Sequence, residues 1–215
     1  DFVQWTDPGY LSYEAHRDKS EAEGASPVRD ADPANHPAGR VSQLYTNQVI
    51  PYYRAPHLYF GFPTRYIDRG WTYSATQLPR YDYRKLRGAK SRREGTAVTD
   101  GMFMASRDGK HFHVWPESFI RPGLKLRDNW FYGDNYQAWG LVETQSHIEG
   151  AERELSMYLQ DAAGEAESGV RLRRSTIRID GFVSINARLS GGELLTKPLV
   201  FAGSELVLNF STGAA

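Results

Sequence analysis

Ser106-Arg107-Asp108-Gly109-Lys110-His111-Phe112-His113-Val114-Trp115 has the layout of a tight turn closing a β-hairpin. Gly109 can take the positive φ that such a turn needs, and Asp108 can accept hydrogen bonds from the backbone amides ahead of it. Phe112 and Trp115 then return apolar rings to the sheet. Strand-like runs surround this turn: Gly101-Met102-Phe103-Met104-Ala105 before it, and Ala138-Trp139-Gly140-Leu141-Val142-Glu143 and Leu155-Ser156-Met157-Tyr158-Leu159 after it. Upstream, Leu44-Tyr45-Thr46-Asn47-Gln48-Val49-Ile50-Pro51-Tyr52-Tyr53 and His57-Leu58-Tyr59-Phe60-Gly61-Phe62-Pro63 are rich in aromatic and β-branched residues and read as neighbouring strands. No apolar stripe of helical period accompanies them, so the expected fold class is all-β.

Two stretches interrupt the strands. Residues 10–40 are rich in Ala, Asp, Glu and Pro without sustained periodicity, which marks a long connection or insertion. Residues 80–93 are dominated by Arg80, Arg84, Lys85, Arg87, Lys90, Arg92 and Arg93, and read either as a solvated loop or as a patch for a polyanion. Residues 170–180 alternate apolar and basic side chains, the pattern of a strand with one wet face lined by arginines. Asp180-Gly181 follows, and then short runs at 182–187, 199–201 and 205–210. The expected domain boundary falls there, with residues 1–179 in one unit and 180–215 in the next. The opening Asp1-Phe2-Val3-Gln4-Trp5-Thr6-Asp7-Pro8 reads as the tail of a second Asp-Gly-type turn, and the chain as an internal segment of a longer protein.

Composition narrows the function classes. The 215 residues carry no net charge, which gives no overall field favouring nucleic acid or an anionic membrane. No apolar run approaches the roughly 18 residues of a membrane span. The absence of cysteine excludes disulfides and thiolate metal sites and leaves the compartment open. Aromatic residues make up 13%, a level that suits strands and also suits surfaces where rings stack on sugars. No phosphate-binding glycine loop, nucleophile elbow or dinucleotide fingerprint is present, and no cofactor is expected.

Several motifs together resemble a bacterial group of glycosidase-like proteins related to the five-bladed β-propellers of glycoside hydrolase families 32 and 43. They are Tyr45-Thr46-Asn47 with Pro51-Tyr52, Phe62-Pro63-Thr64-Arg65-Tyr66, Ser106-Arg107-Asp108-Gly109, Phe119-Ile120-Arg121-Pro122-Gly123, and Arg178-Ile179-Asp180-Gly181-Phe182-Val183-Ser184. Leu195-Thr196-Lys197-Pro198-Leu199 with Leu208-Asn209 extends the likeness, which covers about residues 41–212. It implies the later blades of a propeller followed by the first strands of a β-sandwich, with earlier blades and the catalytic Asp upstream in the same chain. The family 32 motifs Trp-Met-Asn-Asp-Pro and Glu-Cys-Pro are both missing.

Glycoside hydrolysis asks for two carboxyl groups, one acid and one nucleophile or base, about 5 to 9.5 Å apart. The catalytic candidates are Glu143, Asp100 and Glu117. Glu143 follows the apolar run 139–142, where burial would raise its pKa and keep it protonated near Trp130 and Asn135; the other reading is an ordinary strand-end glutamate. Asp100 can orient a hydroxyl or serve as a turn residue, and Glu117 can cap the site or lie on the surface. Substrate-binding candidates are Tyr45, Asn47, Tyr52, Arg65, Trp130, Tyr132 and Asn135. His111 and His113 with Asp108 can be read as metal ligands, but solvent-facing side chains beside a turn are the expected reading, so no metal is assigned. The expected function is hydrolysis of a glycosidic bond in an oligo- or polysaccharide. The alternative is a non-catalytic carbohydrate-binding or scaffold propeller.

Overall fold

In the computed structural model, the structure describes residues 3–7, 9–15, 42–164, 169–187 and 189–211. The fold is mainly β, with 35% of residues in strands and 11% in helices. The chain divides into two compact units, Asp1–Phe182 and Val183–Ala215.

The strands of the first unit are β1 (Ser12–Ala15), β2 (Ser42–Tyr45), β3 (Ile50–Tyr52), β4 (Ala55–Gly61), β5 (Thr64–Asp68), β6 (Ala97–Ser106), β7 (His111–Ile120), β8 (Val142–Thr144), β9 (Glu154–Asp161) and β10 (Arg171–Arg178). The Asp-Gly turn joins β6 to β7. Gly109 has φ +73°, and Asp108 Oδ1 accepts from the amides of Lys110 and His111, both at 2.8 Å. These contacts hold the Asp108 carboxyl well below the usual carboxylate range, the His111 amide and ring contributing most.

β4 and β5 lie end to end along one edge of β6, with β7 on its other edge. Pro63 interrupts them because proline has no N–H for the ladder. The ladder nevertheless continues through Phe62 N–H to the Asn47 carbonyl and Met102 N–H to the Pro63 carbonyl, each 2.8 Å. β2 and β3 are likewise two halves of one interrupted strand, pairing β5 and β4. The sheet is therefore an antiparallel meander in chain order, (β2, β3)–(β4, β5)–β6–β7, to which β1 adds in parallel on β7. A second meander, β8–β9–β10, is also antiparallel. The two sheets bury Ile50, Phe60, Phe62 and Phe103 with Leu155, Met157 and Leu159 in one cluster. On the opposite face of the first sheet Met102, Met104, Phe112 and Val114 form another, packed with Leu11 and Tyr13. The part of β6 from Gly101 to Ala105 is thus apolar on both faces, which is why its sequence there is a continuous run and not an alternating one.

Several expectations need correction. Residues 80–93 are not a loop: α2 (Tyr81–Lys90) and α3 (Arg92–Thr96) occupy most of them, after a short α1 (Tyr73–Thr76). α2 has no apolar stripe to betray it; it buries Arg84, 1% exposed, whose guanidinium lies 3.6 Å from the centre of the Phe131 ring. Of the expected strand 138–143 only Val142 and Glu143 fall in β8; Ala138 bonds to Tyr158 of β9 through a single N–H at 2.8 Å, and Gly140, at φ +103°, turns the chain between them. The arginines of β10 do not share one face. Arg173 lies on the side of Ile177, which packs toward the core, whereas Arg174 and Arg178 point outward with the exposed Leu172.

In the second unit residues 199–210 form no strand, and Leu199, Val200, Phe201, Leu206 and Val207 are exposed. An apolar run becomes a strand only when a neighbour completes its ladder and covers one face. The expected insertion begins with β1, and residues 16–40 lie outside the described part; so do Asp1, Phe2 and Pro8 of the expected second turn, of which residues 3–7 form no strand.

Candidate functional site

Four tyrosines converge, two on β2 and β5 and two in the segment that precedes β8. Tyr45 on β2 stacks on Tyr66 of β5, with ring centres 5.6 Å apart and planes 11° from parallel. Tyr136 lies 6.4 Å from Tyr45, and Tyr132 meets Tyr66 edge-on at 5.7 Å. Arg93 of α3 places its guanidinium 5.2 Å from the centre of the Tyr132 ring, a cation–π contact. Burial pushes the phenol pKa values of Tyr45, Tyr66 and Tyr136 upward. For Tyr45 and Tyr136 the hydroxyl of Tyr132 adds to that shift, so the polar tips of three rings share one neighbourhood. Rings with such tips offer an apolar face and hydrogen-bonding groups together.

The chain bends sharply beside the cluster. Thr46 and Gln48 have φ of +46° and +49°, which breaks the strand between β2 and β3 and leaves the Asn47 carbonyl, bonded by Phe62 N–H, to carry the ladder across the break. Gln48 Nε2 donates to the Gln137 carbonyl at 3.1 Å, tying this break to the segment that carries Tyr136. Buried polar atoms without a protein partner gather in the same segments: Asn47 Oδ1, Thr64 Oγ1, and both Oε1 and Nε2 of Gln137. Thr64 is the cross-strand partner of Tyr45. Buried polar groups are rarely left unsatisfied, and four such atoms lie in the segments that carry or adjoin these rings.

The carboxylates tell a different story. Glu143 accepts from Tyr53 Oη at 2.5 Å and from Arg153 Nε at 2.6 Å. These two contacts, Tyr53 foremost, hold its carboxyl below the ordinary glutamate value, the reverse of the raised pKa expected. The apolar run before it does not bury it, since Trp139 is 71% exposed and Val142 50%. Nor is Glu143 near Asn135: the first pairs with Leu155 and the second with Gln160, and at about 3.3 Å per residue those positions on β9 lie roughly 16 Å apart.

Asp100 makes a two-pronged ion pair with Arg65, at 2.9 and 2.6 Å, across the β5–β6 ladder. Arg65 Nη1 also donates to the Pro116 carbonyl at 3.0 Å, so the two candidates pin three strands together and do not face a ligand. Glu117, the next residue, is exposed on β7. The carboxyl that burial does raise, to about 6, is Asp134. It is 1% exposed and accepts from the amides of Phe131 and Ala163, so it organises its loop out of reach of a substrate.

Among the binding candidates, Tyr45 and Tyr132 belong to the tyrosine cluster and Asn47 stands beside it. The others are committed elsewhere. Tyr52 is 4% exposed, stacks on Phe60 and donates to Asp180 at 2.5 Å. Asn135, 1% exposed and at φ +64°, donates to the Thr99 carbonyl and accepts from Arg173. Trp130 spends its indole N–H on the Gly123 carbonyl at 3.0 Å. His111 pairs with Asp108 at 2.6 Å beside the turn. Among the described residues no group of three His, Asp or Glu could hold a metal ion, and no helix is long and apolar enough to cross a membrane.

Sequence reasoning missed Tyr66, Arg93, Tyr136, Gln137 and Thr64. Tyr66 ends the quoted run 62–66 and Tyr136 directly follows the candidate Asn135, so a signal existed; Arg93 was hidden in the basic stretch. No protein-family model, curated protein or solved structure matches the chain.

Proposed function

We propose that the two meanders are successive blades of a five-bladed β-propeller of the glycosidase type, followed by the start of a β-sandwich, and that the tyrosine cluster binds carbohydrate. Two features support the propeller: each sheet is an antiparallel meander in chain order, and the sheets pack face to face through Phe60, Phe103, Leu155 and Leu159. The observation that carries the binding role is the set of Tyr45, Tyr66, Tyr132 and Tyr136 beside the unpartnered amide of Gln137. A pyranose or furanose ring has apolar C–H faces for stacking and hydroxyls for such amides.

Binding is the better supported half of this reading, since Asp100, Glu143 and Asp134 are engaged in structural contacts. Hydrolysis within the proposal needs a carboxylate pair completed by other blades. Affinity electrophoresis of the chain through gels containing arabinan, xylan or levan tests it. Retardation by at least one polymer is expected, with Tyr132→Ala weakening it about tenfold, the equivalent of about 1.4 kcal/mol. No retardation by any of them, or a folded Tyr132→Ala that is retarded equally, would overturn the reading.

A further inference from the structure

A cleft of about 240 Å³ opens between β7 and β10, away from the tyrosines. Phe119, Met157 and Ile177 supply apolar walls, Ser175 a hydroxyl, and Arg121 and Arg173 two guanidinium groups, with no acidic residue in the lining. Arg173 is held from behind: its Nη2 donates to Asn135 Oδ1 at 3.1 Å, and Asn135 is itself fixed to the Thr99 carbonyl. Its Nε is buried without a partner. Arg121 is anchored at one nitrogen, Nε to the Ser118 carbonyl at 3.3 Å.

With Nη2 on Asn135 and Nε sealed beneath the surface, Nη1 is the nitrogen of Arg173 left to meet a ligand in the cleft. A carboxylate can take one charge-assisted N–H bond from each of two neighbouring guanidiniums. A volume of this size admits a single sugar ring. Apolar walls, a hydroxyl and paired guanidiniums together match a ring with apolar faces, hydroxyls and one carboxylate.

We propose that this cleft is a subsite for a hexuronic acid residue, its carboxylate on Arg173 and Arg121 and its ring against Phe119, Met157 and Ile177. The inference rests on the carbohydrate reading above and narrows it to polymers that carry acidic sugars.

The test is calorimetric titration of the chain with galacturonate and, as its neutral twin, galactose, with amide chemical-shift mapping of the site. Galacturonate should bind at least tenfold more tightly than galactose, with shifts centred on residues 119–121 and 173–177. Arg121→Gln and Arg173→Gln should each weaken it about tenfold. Arg121 is exposed, so its variant keeps the test decisive if loss of the Arg173–Asn135 contact impairs folding. Equal affinity for the two sugars, displacement by acetate or phosphate at the same concentrations as galacturonate, or shifts centred on Tyr132 would each overturn the proposal. Polysaccharide binding that depends on Tyr132 without any galacturonate site would sink this subsite alone; a galacturonate site without Tyr132-dependent binding would sink the tyrosine reading alone.

Discussion

Replacing Arg84 with Met should unfold the α2 region at far lower denaturant than the wild type. The guanidinium donates to the carbonyls of Pro79 at 2.9 Å, Trp130 at 2.7 Å and Asn129 at 2.9 Å, and covers the Phe131 ring. Burial pushes its pKa down to about 10, which still leaves it charged at neutral pH. Methionine fills similar length and leaves three acceptors unpaired in a region without ready access to water. At about 1 kcal/mol for each stranded acceptor the floor is about 3 kcal/mol, and losing a buried charged hub sets a ceiling near 5 kcal/mol. For a chain of this size that corresponds to a fall in Tm of roughly 6 to 15 °C. Urea unfolding followed by circular dichroism measures it, with Arg87→Met as control. Arg87 sits one turn on, pairs with Glu94 and makes one long bond, 3.4 Å, to Ala163, so its loss should cost under about 1 kcal/mol. Equal, small effects of the two substitutions would refute the argument and return the basic stretch to the solvent-facing role that its composition suggests.

Three more outcomes follow from local chemistry. Asp134 has a folded pKa raised to about 6, so the folded state holds an extra proton between the unfolded value and 6; that stabilisation is complete below the unfolded value and is lost as pH rises through 6. Its size is of the order of 2 to 3 kcal/mol, and unfolding measured from pH 4 to 7 should lose this slope in Asp134→Asn; an unchanged slope would assign it to other groups. Gly109→Ala should destabilise the β6–β7 hairpin by about 1 to 2 kcal/mol, because φ at this position is +73°; an unaffected melting curve would mean that the turn tolerates a side chain. The Glu143 carboxyl, followed by carbon NMR during a pH titration, should titrate below an ordinary glutamate, and Glu143→Gln should leave polysaccharide binding intact; a titration above the ordinary value would restore its candidacy as an acid.

What the sequence made legible was local. The Ser106-to-Trp115 turn could be read because Asp108 and Gly109 act within a few residues of each other, and the strand before it because residues 101–105 of β6 form an unbroken run without a polar side chain. What it hid was set by contacts distant in the chain. Tyr52 looked like a sugar-stacking ring, but its hydroxyl is claimed by Asp180, 128 residues away. Asn135 looked like a hydroxyl-binding amide, yet Thr99 and Arg173 take both its ends. α2 escaped because a buried guanidinium on a phenyl ring replaces the apolar stripe by which amphipathic helices are recognised. Tyr45 and Tyr132 were legible as binding residues by type, while their company with Tyr66 and Tyr136 depended on how β2, β5 and the 128–136 loop come together.

The same contacts decide which chemistry the described residues favour. A glycosidase acid has to be raised in pKa and also open to its substrate. Here the two conditions fall on different residues. Asp134 is raised but sealed, and Glu143 is partly open but lowered by Tyr53 and Arg153. Asp100, on β6 inside the sheet, is neutralised by Arg65. Converting any of them to a catalytic group would require breaking a contact that also holds the fold: the β5–β7 clamp for Asp100, the 131–134 turn for Asp134, the link from β3–β4 to β8 for Glu143. The tyrosines face no such conflict. Their rings pack on one another and the hydroxyls of Tyr45 and Tyr136 share that of Tyr132, so no fold-holding ion pair has to break for the binding role proposed above.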